Sequence, residues 1–170
     1  MAPYHHGDLG RASAEAATAL ARTGGEEAVS LRKVAARVGV THRAVAATLG
    51  GRDALLGAVA IRAYEALLAA VEGAGTRRAF AEGYVRFALA EPHLYDVAMR
   101  RMQTRRDDPA LREATLAVVA AARAATGASD AEVKRLWMIL HGGLSLHRAG
   151  ALQPRSDEAM TSFMLEMADG

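Results

Sequence analysis

The residues whose types could bind a nucleic acid lie between Ser30 and Leu55, in the stretch SLRKVAARVGVTHRAVAATLGGRDAL. Ser30 can cap a helix in which apolar residues recur at helical spacing. Gly39 supplies a sharp turn, and Thr41 can cap a second short helix, from His42 to Leu49. Helices joined by so few residues cross steeply and leave the second one projecting. The segment therefore predicts a helix-turn-helix that enters the major groove of DNA.

Particular side chains of this segment are candidates for contacts with DNA. Arg43 can present a pair of donors to the acceptors of a guanine edge. Arg52 is near the start of the next helix, where it could hold a phosphate together with exposed backbone amides. The residues predicted to contact DNA in this segment are Thr41, His42, Arg43, Thr48 and Arg52.

The first residues of the chain also carry polar and aromatic side chains. Tyr4, His5 and His6 are predicted to form an arm that contacts DNA, and a disordered tail is the alternative. Adjacent histidines at a chain end are seldom a metal site, so no metal is predicted.

Positive charge is concentrated in the first third of the sequence. Residues 1–52 hold seven Arg and Lys against four Asp and Glu, whereas the remaining residues hold fourteen against fifteen. Neutralising phosphates requires positive charge on one part of the molecule, so this distribution agrees with an N-terminal head that binds DNA. Because the excess of basic over acidic residues is small, a dimer would be needed for a strong electrostatic attraction to DNA.

The pattern of apolar residues predicts an all-α fold, with no strand pattern of useful length. A three-helix head, residues 1–52, is joined by a long helix to a helical body, residues 53–170. The expected helices cover about 9–23, 31–38, 42–49, 53–72, 77–90, 92–102, 109–125 and 130–149, and a last one begins near 157.

The composition argues against several classes of function. Cysteine is absent, which excludes disulfides and thiolate chemistry. No phosphate-binding glycine loop, zinc helix or nucleophile elbow is present, so we predict no catalytic residue and no cofactor. The chain has no signal peptide and no unbroken apolar run that could span a membrane, and we expect a cytoplasmic protein with no membrane partner.

Aromatic and methionine residues of the body could line an apolar pocket for a small molecule. For each one, a place in the ordinary helical core is the alternative. Trp137 and His141 are four residues apart and so share one face of a helix. The candidate ligand-binding residues are Phe80, Tyr84, Phe87, Tyr95, Met99, Met102, Trp137, Met138 and His141.

With these pieces in order, the chain resembles the TetR family of bacterial transcriptional regulators. The opening YHHGDL, the head LRKVAARVGV and the following RDALLGAV are similar to the DNA-binding part of that family. In the body, AEGYVRFALAEPHLYDVAM and WMILHGGLSLHRAG, with Trp137, His141 and Gly142, resemble a C-terminal domain of one branch.

The resemblance implies a homodimer in which the last two long helices form a four-helix interface. It also implies a double-stranded DNA operator, and a small-molecule effector whose binding in the body changes the spacing of the heads. Members of the family usually carry a tyrosine and a histidine that reach phosphates from the recognition helix, and this chain has Ala46 and Ala47 in that region.

Three functions remain open on these residues. The first is a TetR-like regulator, most simply a repressor, controlled by a small and largely apolar ligand. The second is a TetR-fold protein whose degenerate recognition helix no longer binds DNA, and which acts as a ligand-binding protein or a biosynthetic enzyme through its body pocket. A partner that forms mixed dimers with a DNA-binding relative is a third possibility.

Overall fold

The protein is all-α, as predicted. The computed structural model describes residues 6–169, and side chains at residues 9–104 and 106–169. This part of the chain holds nine α-helices, one 3₁₀ helix and no strand: α1 His6–Ala28, α2 Leu31–Val38, α3 His42–Leu49, α4 Arg52–Val71, α5 Arg77–Ala90, α6 Pro92–Arg101, the 3₁₀ helix Met102–Arg106, α7 Pro109–Thr126, α8 Asp130–Arg148 and α9 Asp157–Asp169.

The helices form two compact units. The head unit consists of the residues up to Tyr64 together with Glu91–Ala114, and the body unit consists of Glu65–Ala90 and Thr115 onward. Helices α4 and α7 each contribute residues to both. The predicted division into a head of residues 1–52 and a body of residues 53–170 concerns function and stays a prediction.

In the head unit, α1 is the central helix. It packs against α2, α3 and α6, and its Ala17 and Ala21 are fully buried. Small residues on this face allow the neighbouring helices to approach closely. Regular geometry is interrupted at Gly24 and Gly25, and Gly25 has φ of 62°, so the predicted stop after Thr23 is confirmed.

The body unit is built around α5, which packs against α8 and α9. At Gly83 of α5, an added Cβ would overlap the carbonyl oxygen of Ala70 in α4, so only glycine fits there. Helix α8 begins with a capping box, in which Ser129 accepts from the backbone N–H of Glu132 and the Glu132 carboxylate accepts from that of Ser129.

Helix α4 is the one described helix that is long and apolar enough to cross a membrane by length and composition. Core helices of soluble proteins can have the same length and composition. Its side chains Leu55, Leu56, Val59 and Leu67 are fully buried within the protein. These four side chains are packed as those of a core helix are.

One connection is more regular than its sequence indicated. Residues 103–108 fall between two of the predicted helices, and most of them belong to the 3₁₀ helix. The Thr104 hydroxyl donates to the Arg101 carbonyl at 2.8 Å, and Asp108 Oδ1 accepts from the backbone N–H of Leu111 at 3.0 Å. These bonds satisfy backbone groups at the end of α6 and the start of α7.

Candidate nucleic-acid interface and ligand cavity

The predicted helix-turn-helix is present with the predicted bounds. Ser30 Oγ accepts from the backbone N–H of Lys33 at 3.2 Å, and Thr41 Oγ1 accepts from that of Ala44 at 3.2 Å. Gly39, with φ of 78°, ends α2 in the left-handed conformation that glycine adopts readily. These local bonds set the ends of the short turn between α2 and α3.

The helix-turn-helix carries a basic surface that we call the basic face, consisting of Arg32, Lys33, Arg37 and Arg43. All four side chains are exposed, and none of the ion pairs among the described residues involves them. The sequence from Ala28 to Arg52 contains no Asp or Glu. The positive charge of this face is therefore not offset within the segment, as binding to phosphates requires.

The predicted DNA-contacting residues of α3 have different surroundings. Thr41, His42 and Arg43 are exposed at the start of the helix. Thr48 is half-buried, and its hydroxyl donates to the Ala44 carbonyl at 2.9 Å. The Thr48 methyl lies near Gly10 of α1, which places this side chain toward the interior of the head. Contact of these residues with DNA stays a prediction.

Arg52 makes hydrogen bonds that join two parts of the head unit. Its Nε donates to the Val29 carbonyl at 2.9 Å and its Nη2 to the Glu26 carbonyl at 2.7 Å. The guanidinium also lies 3.7 Å from the Glu26 carboxylate and stays partly exposed. Arg52 therefore joins the first turn of α4 to the end of α1, and a phosphate contact would be a second role.

The predicted N-terminal arm lies largely outside the described residues. Tyr4 and His5 precede the described part of the chain, and His6 begins α1 with a side chain that is not described. Their contact with DNA stays a prediction.

The body unit contains a small apolar cavity of about 50 Å³. Phe80 and Tyr84, both predicted ligand-binding residues, line it with ring centroids 6.3 Å apart. Ligand pockets of proteins usually measure about 300 to 1,000 Å³, so this cavity would have to open to hold a drug-sized molecule. The other residues around it are Val118, Val119, Ala122, Val133, Leu136, Trp137 and Leu140.

Trp137 lies at the edge of this cavity. It is 36% exposed, and its ring stacks on that of His141, with centroids 5.3 Å apart and planes inclined by 5°. Phe87 is buried but does not line the cavity, and Met138 is 60% exposed. The predicted residues of the body unit are thus divided among the cavity wall, the core and the surface.

Three other predicted ligand-binding residues belong to the head unit. Tyr95 is completely buried in α6. Met99 and Met102 line an open cleft of about 1110 Å³ formed by residues of the head unit. The structure therefore places these two methionines at a second concave surface.

Some residues of these surfaces were not predicted as site residues. Arg32, Lys33 and Arg37 extend the basic face onto α2, and a charge count restricted to residues 28–52 would have indicated them. The cavity wall formed by Val118, Ala122 and Leu140 had no local signal, because any helical core contains such residues.

Comparisons with solved structures find several proteins that share the all-helical fold of this chain. The chain is 28% identical to a Rhodococcus sp. RHA1 protein of unknown function, with a TM-score of 0.72. The match covers 99% of this chain and 97% of the Rhodococcus chain. PfmR, a TetR family transcriptional regulator from Thermus thermophilus, is 18% identical, with 92% and 94% coverage and a TM-score of 0.57.

A third structure, SCO4313, a protein assigned a regulatory role, is 19% identical, with 98% coverage of each chain and a TM-score of 0.67. Identities this low establish a common fold alone. A comparison with curated protein sequences finds no match.

The family described as "Tetracyclin repressor-like, C-terminal domain" matches residues 77–169, which is more than half of the chain. The protein belongs to the TetR family, as its sequence indicated. The family is one of transcriptional regulators, and membership in a particular branch stays a prediction.

Proposed function

We propose that this protein is a cytoplasmic, homodimeric DNA-binding repressor whose binding to an operator is controlled by a small, largely apolar ligand. The basic face is the observation that carries the proposal. Its four exposed cations have no acidic partner among the described residues and lie on the two helices of a helix-turn-helix. They would neutralise phosphates on either side of the groove that α3 enters.

The start of α3 supports reading of bases as well as binding of phosphates. Arg43 is exposed in the first turn, where recognition helices contact base edges, and His42 is exposed beside it. Ala46 and Ala47 leave the middle of the helix without side-chain hydrogen-bond donors. Sequence discrimination would therefore rest on the first turn, and most of the affinity on the basic face.

This proposal is tested by measuring the binding of the full chain to duplexes from its own gene neighbourhood, by fluorescence anisotropy at several salt concentrations. We expect specific binding that weakens steeply as salt rises. Lys33→Ala should weaken binding to all duplexes alike and reduce the salt slope by about 1. Arg43→Ala should reduce the binding free energy for the best duplex by about 1–3 kcal/mol. It should also reduce the difference in affinity between that duplex and other sequences.

Arg155→Ala is the matched control, since Arg155 is exposed in the connection between α8 and α9 and should leave DNA binding unchanged. Arg52→Ala is less informative, because it also removes two bonds to backbone carbonyls of the head. Absence of binding at low salt would refute the proposal. It would favour the second function, a ligand-binding protein or enzyme with a degenerate recognition helix.

The apolar cavity of the body unit is our candidate for the effector site. Its walls come from α5, α7 and α8, and it is lined by apolar and aromatic side chains. Because the cavity is small, binding of a ligand would move Trp137. This side chain is the most exposed of those that line the cavity. Displacing Trp137 from its stack on His141 would enlarge the space available to a ligand.

Trp137 is the single tryptophan of the sequence, so no other tryptophan contributes to the fluorescence measured at this site. We expect p-xylene, a small uncharged aromatic, to change the emission of Trp137 in a saturable manner. Val118→Phe should fill the cavity and abolish the change, whereas Leu116→Phe, at an exposed position of the same helix, should not. An equal response of both variants would exclude the cavity as the ligand site.

Dimerisation is supported by apolar side chains that the protomer leaves exposed on α8 and α9. Five of these side chains are each at least 36% exposed: Trp137, Met138 and Leu146 on α8, and Phe163 and Met167 on α9. Large apolar side chains concentrated on two adjacent helices indicate a surface that is covered by another protein. A second copy of the chain would supply the same surface and give the two-fold symmetry that suits a palindromic operator.

A further inference from the structure

The open cleft of the head unit is rich in arginine. It has a volume of about 1110 Å³ and lies between the first turn of α4, the end of α6 and the 3₁₀ helix. Its charged lining residues are Glu26, Arg52, Asp53, Arg100, Arg101 and Arg106. With four guanidinium groups against two carboxylates, the cleft is an environment that favours an anion.

Arg101 and Asp53 form an asymmetric ion pair in this cleft. Arg101 Nη2 donates to Asp53 Oδ1 at 2.6 Å and to the Asp53 carbonyl at 3.1 Å. The Arg101 side chain is 11% exposed, whereas that of Asp53 is 86% exposed. A buried guanidinium needs an anionic partner, but an exposed carboxylate is held only weakly and can move away at little cost.

Asp53 therefore occupies a position that the carboxylate of another molecule could take. Arg100 and Arg106 are exposed on the same cleft, and no ion pair among the described residues involves either of them. A planar guanidinium binds any carboxylate with the same geometry, so exchange of one for another preserves the hydrogen bonds of Arg101.

The cleft also has an apolar part. Met99 and Met102 are half-buried, and Leu56 forms part of the wall. Methionine side chains are flexible and adapt to the shape of an apolar ligand. Arg101 is recessed, which suits a small molecule better than the backbone of a duplex.

We propose that this cleft binds a small organic carboxylate, whose anionic end displaces the Asp53 carboxylate from Arg101 and whose short apolar part contacts Met99 and Met102. This site is separate from the apolar cavity of the body unit, and its existence does not depend on binding of the protein to DNA. Because Asp53 lies in the first turn of α4, directly after α3, an occupant would act on the helix that follows the recognition helix.

The test is isothermal titration calorimetry of the full chain with sodium hexanoate, in a low-chloride buffer near neutral pH. We expect one molecule to bind per protomer, with Kd on the order of 1 mM or tighter. Hexylammonium, which has the same tail and the opposite charge, should not bind. Acetate, which lacks the tail, should bind more weakly than hexanoate.

Two variants with opposite effects make the test specific. Arg100→Gln should weaken hexanoate binding about fivefold, the size expected for one partly exposed charge pair. Asp53→Asn should strengthen it by a similar factor, because the competing carboxylate is gone. Arg155→Gln is the matched control and should have no effect, and circular dichroism checks that each variant is folded.

Several outcomes would overturn the proposal. These are no detectable binding of hexanoate, equal binding of hexylammonium, or an Asp53→Asn variant whose affinity is unchanged or lower. Val118→Phe separates this site from the body cavity. If filling that cavity abolished hexanoate binding, the carboxylate would bind there and not in the head, whatever the outcome of the DNA measurements.

Discussion

Arginine side chains of the head have two different structural roles. Arg52 and Arg101 each donate to a backbone carbonyl of another part of the head unit, and each has a carboxylate within ion-pair distance. Arg32, Arg37 and Arg43 are exposed on the helix-turn-helix with no such partner among the described residues. Residue type alone does not distinguish these roles, because the carbonyl acceptors of Arg52 are 23 and 26 residues away in the chain.

The environment of Asp53 follows from the same network. The hydrogen bond from Arg101 lowers the pKa of the Asp53 carboxyl below its ordinary value, and the charges of Arg101 and Arg52 act in the same direction. Asp53 is therefore ionised near neutral pH and remains a competitor for any anion that approaches Arg101.

Gly83 provides a sharp prediction about packing. Gly83→Ala should destabilise the protein by about 2 kcal/mol, because the new methyl group would overlap the Ala70 carbonyl and push α4 and α5 apart. The measurement is the midpoint of urea unfolding. Gly57→Ala is the control: its Cβ would meet Asp108 Oδ2 at an ordinary 3.5 Å, and alanine favours the helix. Equal midpoints for the two variants would contradict this interpretation of Gly83.

At the scale of single helices, local capping explains why so many bounds were predictable. Ser30, Thr41 and Ser129 each accept a hydrogen bond from a backbone N–H three residues later. Such bonds depend on neighbouring residues only, so the caps are visible in the sequence. The helices α2, α3 and α5 have the bounds that the sequence predicted.

Helix α8 offers a direct test of a cap. Ser129→Ala should cost about 1 kcal/mol in unfolding free energy, because it leaves a backbone N–H of the first turn without its acceptor. The Glu132 carboxylate accepts from Ser129 as well, and these bonds lower the pKa of Glu132. Ser145→Ala, within the same helix, should be neutral or slightly stabilising. If Ser145→Ala lowered the unfolding free energy as much as Ser129→Ala, loss of the cap would not explain the effect of Ser129→Ala.

At the scale of the whole molecule, α8 and α9 carry five of the six large apolar side chains that are exposed among the described residues. Gly142 is half-buried in α8, and a Cβ added there would meet no atom of the described chain within 4 Å. A side chain that begins at this position therefore starts in open space in the protomer. In a dimer formed through α8 and α9, the same side chain would collide with the partner.

Gly142→Trp should weaken dimerisation by at least about tenfold, equivalent to about 1.4 kcal/mol, and should weaken operator binding with it. Sedimentation equilibrium measures the effect. Gly75→Trp is the control, since Gly75 lies in the connection before α5 and also has open space around it. If Gly142→Trp dimerises as tightly as the unchanged protein, the interface lies elsewhere.

The sequence by itself determined the all-α class, the helix-turn-helix and the capped ends of its helices. These features depend on hydrogen bonds and periodicities that span about four residues. The resemblance to the TetR family was likewise visible in motifs that each occupy a short stretch. The inward position of Thr48 was not predictable, because it depends on where α1 packs against α3.

Only the tertiary structure decided which charges are paired and how much space is left between helices. The pairing of Arg101 with Asp53 joins residues 48 positions apart, and the cavity beside Trp137 exists because three helices fail to fill the space between them. Both are results of long-range packing, in which each side chain's surroundings depend on the placement of whole helices. A local pattern carries no information about such distances. The sequence could therefore indicate which residue types can form a site, but not which of these residues lie together.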